Sequence, residues 1–322
     1  MPNLNQKDPK WWYKQGNEKY QSGDLKEALI DYNMALELKC DYYEALYQRG
    51  NIFFDLENWK EALASYDKGI QYQKNDYKIW YNRGLALTES EHYEEAVLSF
   101  KKTIQLKPND DDAWYNYGGT LHDLGRYQEA LVGYDKSLYY NSGNYNVWYE
   151  RGNVLSDLKH YEKALDSYDK AIQLKNDEYK IWQGRYYVLL YLDRYEETLT
   201  SCDKCIQLNP NEYIFWYHRG LILSDMKRYD EAITSYDKAI QHNPTDHKAW
   251  IERAKLLNKL GYHEKSITGM IEFFNINPES AQEQTKILVK QKHLTKLDIL
   301  KRAIKIIIKH PTLIKKILNS VK

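Results

Sequence analysis

A tryptophan returns every 34 residues along most of this chain, at Trp80, Trp114, Trp148, Trp182, Trp216 and Trp250. Trp12 and Leu46 hold the same register nearer the N-terminus. A fixed period of this length marks a repeat array, in which no unit can bury its own apolar face and each must stack on the next. With the ladder residue at position 4, eight ungapped units follow: 9–42, 43–76, 77–110, 111–144, 145–178, 179–212, 213–246 and 247–280.

Each unit reads as two helices. In the first, helix A, position 8 holds Gly16, Gly50, Gly84, Gly118, Gly152, Tyr186, Gly220 and Ala254. Position 11 is usually apolar, as in Phe53, Leu87, Leu121, Leu155, Leu189, Leu223 and Leu257. Spacings of four and three place positions 4, 8 and 11 on one helical face. Helix B has small residues at position 20 (Ala28, Ala62, Ala96, Ala130, Ala164, Thr198, Ala232, Ser266) and aromatic ones at position 24 (Tyr32, Tyr66, Phe100, Tyr134, Tyr168, Tyr236). A glycine inside a helix costs about 1 kcal/mol relative to Ala. Its recurrence predicts close helix approach at position 8, with the position-4 aromatic expected to fill the wedge beside it. Pro108, Pro210, Pro244 and Pro278 follow helix B, where they cannot continue it.

The segment WYNRGLALTESEHYEEAVLSFKKTIQLKP, residues 80–108, resembles the tetratricopeptide repeat at nearly every signature position. The likeness recurs through all eight units. It implies an all-α fold, an α-solenoid of antiparallel helix pairs in a right-handed superhelix, with helix A lining the concave side. Positions 2, 5, 6, 9, 12 and 13 then face a groove. Position 5 gives Tyr13, Tyr47, Tyr81, Tyr115, Tyr149 and Tyr217; positions 6 and 9 give Asn82, Asn116, Asn17, Asn51 and Asn153. Position 13 adds Asp55, Asp123, Asp157 and Asp225. Tyrosine supplies contact area with a polar tip, and asparagine can hydrogen-bond a peptide backbone twice. A peptide-binding groove is therefore expected at Tyr47, Asn51, Asp55, Tyr81, Asn82, Tyr115, Asn116, Tyr149, Asn153 and Tyr217. The same tyrosines can also bridge neighbouring A helices. Some family members grip a C-terminal carboxylate with a Lys–Asn–Asn–Lys–Arg clamp. Here the matching places hold Tyr13, Asn17, Gln48, Lys78 and Asn82, of which only Asn17 and Lys78 fit.

Other constellations read as structure. Cys202 and Cys205 form a C-x-x-C, but both fall on core positions of helix B, and free cysteine is among the most buried residue types. In that unit Tyr186 stands where others have Gly or Ala, so Tyr186 is expected to fill the space that Cys202 leaves by replacing Tyr. The histidines show no metal spacing, and His92, His160 and His218 are read as solvated. Position 7 is Arg49, Arg83, Arg151, Arg185, Arg219 and Arg253, expected to pair with a position-25 acid, as Arg151 with Asp169 or Arg219 with Asp237. No catalytic, metal or cofactor motif is present in the sequence.

The chain is formally neutral, yet residues 281–322 hold eleven basic residues against Glu283 and Asp298, a net of +9, which leaves −9 on the remainder. Within that tail Leu297, Leu300, Ile304, Ile307 and Ile308 form an apolar stripe, and Pro311 interrupts the helical pattern. Residues 281–322 are expected to cap the array as basic amphipathic helices, with residues 1–8 as a lead-in. The tail has no aromatic residue, which argues against base stacking on nucleic acid and against anchoring at a membrane interface. Opposite charges on tail and array also allow self-association. The opening residues lack an apolar signal segment, and three cysteines are an odd number, so a cytoplasmic location is expected. The expected function is a non-enzymatic scaffold or adaptor that binds a protein or peptide partner; the alternative is an adaptor tethered to an anionic membrane or nucleic acid by its tail.

Overall fold

The structure is a computed structural model, and it describes residues 8–276. The described residues form helices and no strand. The basic segment 281–322 and its expected capping helices lie outside them. The chain divides into two compact units at Asn176 and Asp177.

In the first unit the helix pairs are α1 (Pro9–Gln21) with α2 (Leu25–Leu38), α3 (Tyr43–Asp55) with α4 (Trp59–Tyr72), and α5 (Tyr77–Glu89) with α6 (Tyr93–Leu106). They continue with α7 (Asp111–Asp123) and α8 (Tyr127–Tyr140), then α9 (Tyr145–Asp157) and α10 (Tyr161–Leu174). In the second unit α11 (Tyr179–Tyr191) pairs with α12 (Tyr195–Leu208), α13 (Tyr213–Asp225) with α14 (Tyr229–His242), and α15 (His247–Lys259) with α16 (His263–Ile276). Within each unit every A helix packs on its own B helix, and after the first pair also on the B helix before it. The arrangement is an α-solenoid of helix pairs.

Local chemistry sets the helix ends. Asp8 Oδ1 accepts from the Trp11 amide at 2.8 Å, Asp76 from Lys78 at 2.9 Å and Asp110 from Ala113 at 3.0 Å, which caps α1, α5 and α7. At the A–B turn the chain closes through an amide that reaches back five residues, as Asn58 N to Phe53 O and His92 N to Leu87 O, both 2.8 Å. The residue before that amide is left-handed in all eight pairs: Gly23, Gly125 and Gly261, but also Glu57, Glu91, Lys159, Asp193 and Lys227. A side chain in that conformation costs roughly 1–2 kcal/mol, so the closing hydrogen bonds and the packing of the two helices hold it.

The position-8 glycines do mark close approach, but the indoles do not fill the gap. A Cβ on Gly152 would sit 2.7 Å from Tyr168 Cε1, and one on Gly50 or Gly220 would sit 2.4 Å from Tyr66 or Tyr236 Cε1. The ring that lies on the bare backbone is therefore the position-24 phenol from the same pair's B helix. These rings are almost wholly buried. Trp80, Trp114, Trp148 and Trp216 sit half-buried at the edge instead, while Trp12 and Trp250 are buried. Those four donate their Nε1–H to a carbonyl six residues earlier, in the loop that delivers the chain from the previous B helix: Trp80 to Lys74 O at 2.9 Å, Trp114 to Pro108 O at 2.8 Å, Trp148 to Ser142 O at 3.0 Å and Trp216 to Pro210 O at 3.0 Å. An indole has to keep its N–H satisfied, which favours this half-buried place over the core.

The arginine pairing also differs from expectation. Arg151 Nε donates to Asp135 at 2.7 Å and Arg219 Nε to Asp203 at 2.6 Å, so the acid belongs to the preceding unit rather than to its own. Asp237 is taken by Arg253 of the following unit. The physical reason is that helix A lies between two B helices, and position 7 sits on the flank facing the earlier one. The other arm of the guanidinium reaches a buried serine on its own B helix: Arg83 Nη1 to Ser99 Oγ at 2.7 Å, Arg151 to Ser167 at 2.7 Å and Arg219 to Ser235 at 2.8 Å. One side chain thus ties three helices together. In the fourth pair Tyr117 replaces the arginine and Gly133 the serine; a Cβ at Gly133 would lie 2.8 Å from Gly118 Cα, so the two helices touch there backbone to backbone.

Candidate functional site

In the first compact unit the helix-A face is built by one relation repeated along the stack: a side chain meets the residue 35 positions further on, in the next A helix. Asn82 Nδ2 donates to the Tyr47 hydroxyl at 3.1 Å, and Asn116 Nδ2 to the Tyr81 hydroxyl at 3.0 Å. The Tyr20 hydroxyl donates to Asp55 at 2.8 Å, and His122 Nε2 lies 2.9 Å from Asp157 Oδ2. Asn82 also donates to Asn51 Oδ1 at 2.8 Å, so Tyr47, Asn51 and Asn82 form one network between α3 and α5.

Each of these residues has an inner role as well. The position-5 rings lie on the buried position-24 rings of their own pairs, with centroids 6.4 Å apart for Tyr47–Tyr66, 5.9 Å for Tyr81–Phe100, 6.0 Å for Tyr115–Tyr134 and 6.1 Å for Tyr149–Tyr168. The position-9 asparagines accept from the buried phenols: Tyr66 to Asn51 Oδ1 at 3.0 Å and Tyr168 to Asn153 Oδ1 at 2.8 Å. An unmet phenol there would lose its hydration without recompense. Asn153 Nδ2 is engaged by Glu150 at 3.0 Å.

What remains for a ligand can then be named. Tyr47 and Tyr81 act as acceptors inside the network, which leaves each O–H proton without a partner among the described residues. The side-chain carbonyls of Asn82 and Asn116 are likewise unengaged there. Burial raises the hydroxyl of Tyr81 to about 12, and also raises those of Tyr47 and Tyr115, so they stay neutral donors at neutral pH. On the A helices α3, α5, α7 and α9 the outward positions carry Glu44, Asp55, Glu89, Asp112, Asp123, Glu150 and Asp157, with Lys78 the one lysine or arginine and His122 beside Asp157. Burial raises the carboxyls of Asp112 and Asp123 from their ordinary value.

Tyr217 lies in the second unit. Its ring packs on Tyr236 at 6.3 Å, and burial raises its hydroxyl. Beside it His218 is not solvated as the sequence suggested. Its Nδ1 is buried, its ring stacks on Tyr186 at 5.5 Å, and burial, with a smaller push from Lys248, lowers it to about 4. Tyr186 occupies the core next to Cys202, and both are fully buried, as the size exchange requires. Cys202 Sγ donates to Phe215 O at 3.2 Å, and burial pushes both Cys202 and Cys205 thiols up, which keeps them protonated and unreactive.

Sequence reasoning missed two features. One is the run of exposed apolar side chains Tyr187, Leu190 and Tyr191 on α11, readable from the replacement of polar residues at positions 9, 12 and 13 of that unit. The other is the use of the indoles as loop clasps, for which the sequence holds no signal beyond the period itself. Among the described residues no helix is long and apolar enough to cross a membrane.

Comparison with known proteins gives the family. Tetratricopeptide repeat models match residues 77–110, 145–177 and 213–246, and another matches 99–132. A TPR repeat model matches 16–56 and 50–91. A protein prenyltransferase alpha subunit repeat model matches 195–226, which spans α12 and α13. No curated protein sequence matches the chain. Among solved structures, the C-terminal part of a TPR repeat-containing protein from Cytophaga hutchinsonii is similar with a TM-score of 0.66 at 15% identity, over 74% of this chain and 97% of that one. YrrB, described as a TPR protein with an unusual peptide-binding site, is similar with a TM-score of 0.53 at 22% identity, over 58% and 97%. PilF of Pseudomonas aeruginosa gives 0.53 at 20% identity, over 63% and 92%. With tandem helix pairs throughout the described residues and repeat models matching more than half of its length, the chain belongs to the tetratricopeptide repeat family.

Proposed function

We propose that this protein is a non-enzymatic interaction scaffold that holds a peptide segment of a partner on its helix-A face. The observation that carries the reading is the Tyr–Asn network across α3, α5 and α7, which presents hydroxyl donors and amide carbonyls at a repeat spacing. A peptide backbone offers the complementary groups at every residue. Peptide binding is also the property named for YrrB, which shares the fold. In the first unit the binding residues are Tyr47, Asn51, Asp55, Tyr81, Asn82, Tyr115, Asn116, Tyr149 and Asn153, with Tyr217 serving in the second. Seven carboxylates against Lys78 on the outward positions of α3 to α9 favour neutral or basic segments.

Affinity capture from the native cell extract tests this. A chain carrying Tyr81→Ala with Asn82→Ala should recover its partners at least tenfold less well, a loss of about 1.4 kcal/mol or more, while its melting stays cooperative. Undiminished capture by the double variant would contradict the assignment.

A further inference from the structure

The second compact unit has a helix-A face of a different kind. Positions 9, 12 and 13 of α11 are Tyr187, Leu190 and Tyr191, where the other units carry at least one polar or charged residue. These side chains lie three and four residues apart, on one face, and are 40%, 38% and 70% exposed. The face is continuous with α13. The Tyr187 ring meets His218 edge-on at 6.4 Å and Tyr186 at 4.9 Å. Under it, Tyr186 Oη and His218 Nδ1 are buried with no hydrogen-bond partner among the described residues. Buried polar atoms are nearly always satisfied, so an unmet pair at the floor of an exposed apolar patch points to a ligand that meets them. Two exposed lysines of the same helix-A position, Lys180 on α11 and Lys248 on α15, have no ion pair among the described residues.

We propose that the helix-A face of α11 and α13 anchors a partner segment in which a bulky apolar side chain neighbours a carboxylate. The apolar side chain would rest on Tyr187, Leu190 and Tyr191. On the outward positions of α11, α13 and α15, Lys180, Lys248, Lys255 and Lys259 outnumber Asp225 and Glu252 and supply the positive field. The neutral state of His218 keeps that floor from repelling an apolar group. The chain's own C-terminal segment has the wrong sign for this face: residues 277–322 carry eleven Lys and Arg against Glu279, Glu283 and Asp298. The inference rests on the reading that helix-A faces hold peptide segments and deepens it, because it assigns the second unit an acidic, apolar ligand where the first unit's face is acidic itself.

Fluorescence anisotropy with the full chain tests it. The probe is a short labelled peptide of alternating Glu and Phe or Leu, compared with one in which Lys replaces Glu and one in which Ser replaces the apolar residues. The Glu–Phe/Leu peptide should bind roughly tenfold or more tightly than either control. Tyr187→Ala with Leu190→Ala should abolish that preference while the melting stays cooperative. Lys180→Glu with Lys248→Glu should reverse it toward the Lys peptide, a gain that misfolding could not produce. Equal binding of the Glu and Lys peptides, or binding indifferent to both variants, would overturn the proposal. So would self-association of the chain that Tyr187→Ala abolishes, since the occupant would then be a second copy. Tyr81→Ala with Asn82→Ala should leave this peptide's binding unchanged. If the peptide fails while partner capture still depends on Tyr81 and Asn82, the anchor alone is wrong; if both fail, the helix-A reading falls with it.

Discussion

At the scale of single residues, the sixth repeat shows what the core requires. Every other position-24 aromatic is paired with Gly at position 8, and here the large and small side chains have traded helices as Tyr186 and Cys202. Tyr186→Gly should therefore cost ~3–5 kcal/mol through the cavity it leaves. Adding Cys202→Tyr should return most of that loss, and chemical denaturation of the single and double variants measures the coupling. A double variant no more stable than Tyr186→Gly would refute the exchange. His218 sets a second expectation. Its folded value, about 4, lies below its unfolded value, so the unfolded chain binds the proton first as the pH falls. Stability is whole above about pH 6.5 and declines between there and about pH 4, by up to ~3 kcal/mol from this group. His218→Phe should flatten that part of the profile in thermal melts across the range; an unchanged slope would mean that the ring is solvated.

At the scale of elements, a helix pair is held by phenol on glycine, by the guanidinium that reaches two B helices, and by the indole clasp on the incoming loop. The first is the least tolerant of change. Gly152→Ala adds a methyl 2.7 Å from the Tyr168 ring, and that ring is buried with its hydroxyl fixed on Asn153. Overpacking of this kind costs ~1–3 kcal/mol, which outweighs the roughly 1 kcal/mol gain in helix propensity only in a tight site. A lowered denaturation midpoint is expected. A raised midpoint would show that the helices part easily and that the glycine serves no close approach. The arginines matter less through charge, because Asp67, Asp135 and Asp203 are half exposed, and such pairs contribute only ~0–1 kcal/mol. Their stems and their bonds to buried serines carry the rest.

At the scale of the whole molecule, the helix pairs were legible in the sequence because a repeat multiplies weak signals. The glycine at position 8 and the small residue at position 20 each mean little once, but eight registers fix which faces pack. Partner choice within that packing was not legible. Trp80 and Tyr66 are both large aromatics on core-facing positions, and only geometry separates the ring that meets Gly50 from the one that clasps a loop. Arg151 has an acid at a comparable distance in each direction, Asp135 sixteen residues before it and Asp169 eighteen after it, so spacing cannot choose between them. The left-handed turn residues Glu57 and Lys159 gave no sign either, because only Gly23, Gly125 and Gly261 announce that conformation. For the candidate site, sequence named the Tyr and Asn ladders but not their mutual bonds, which decide what is left to offer a ligand. The most direct measurement is site-specific photocrosslinking in cell extract, with a benzophenone side chain placed either at Tyr81 on helix A or at Leu98, which is 65% exposed on the neighbouring helix B. The account predicts partner adducts from Tyr81 and few from Leu98; adducts from Leu98 with none from Tyr81 would contradict it.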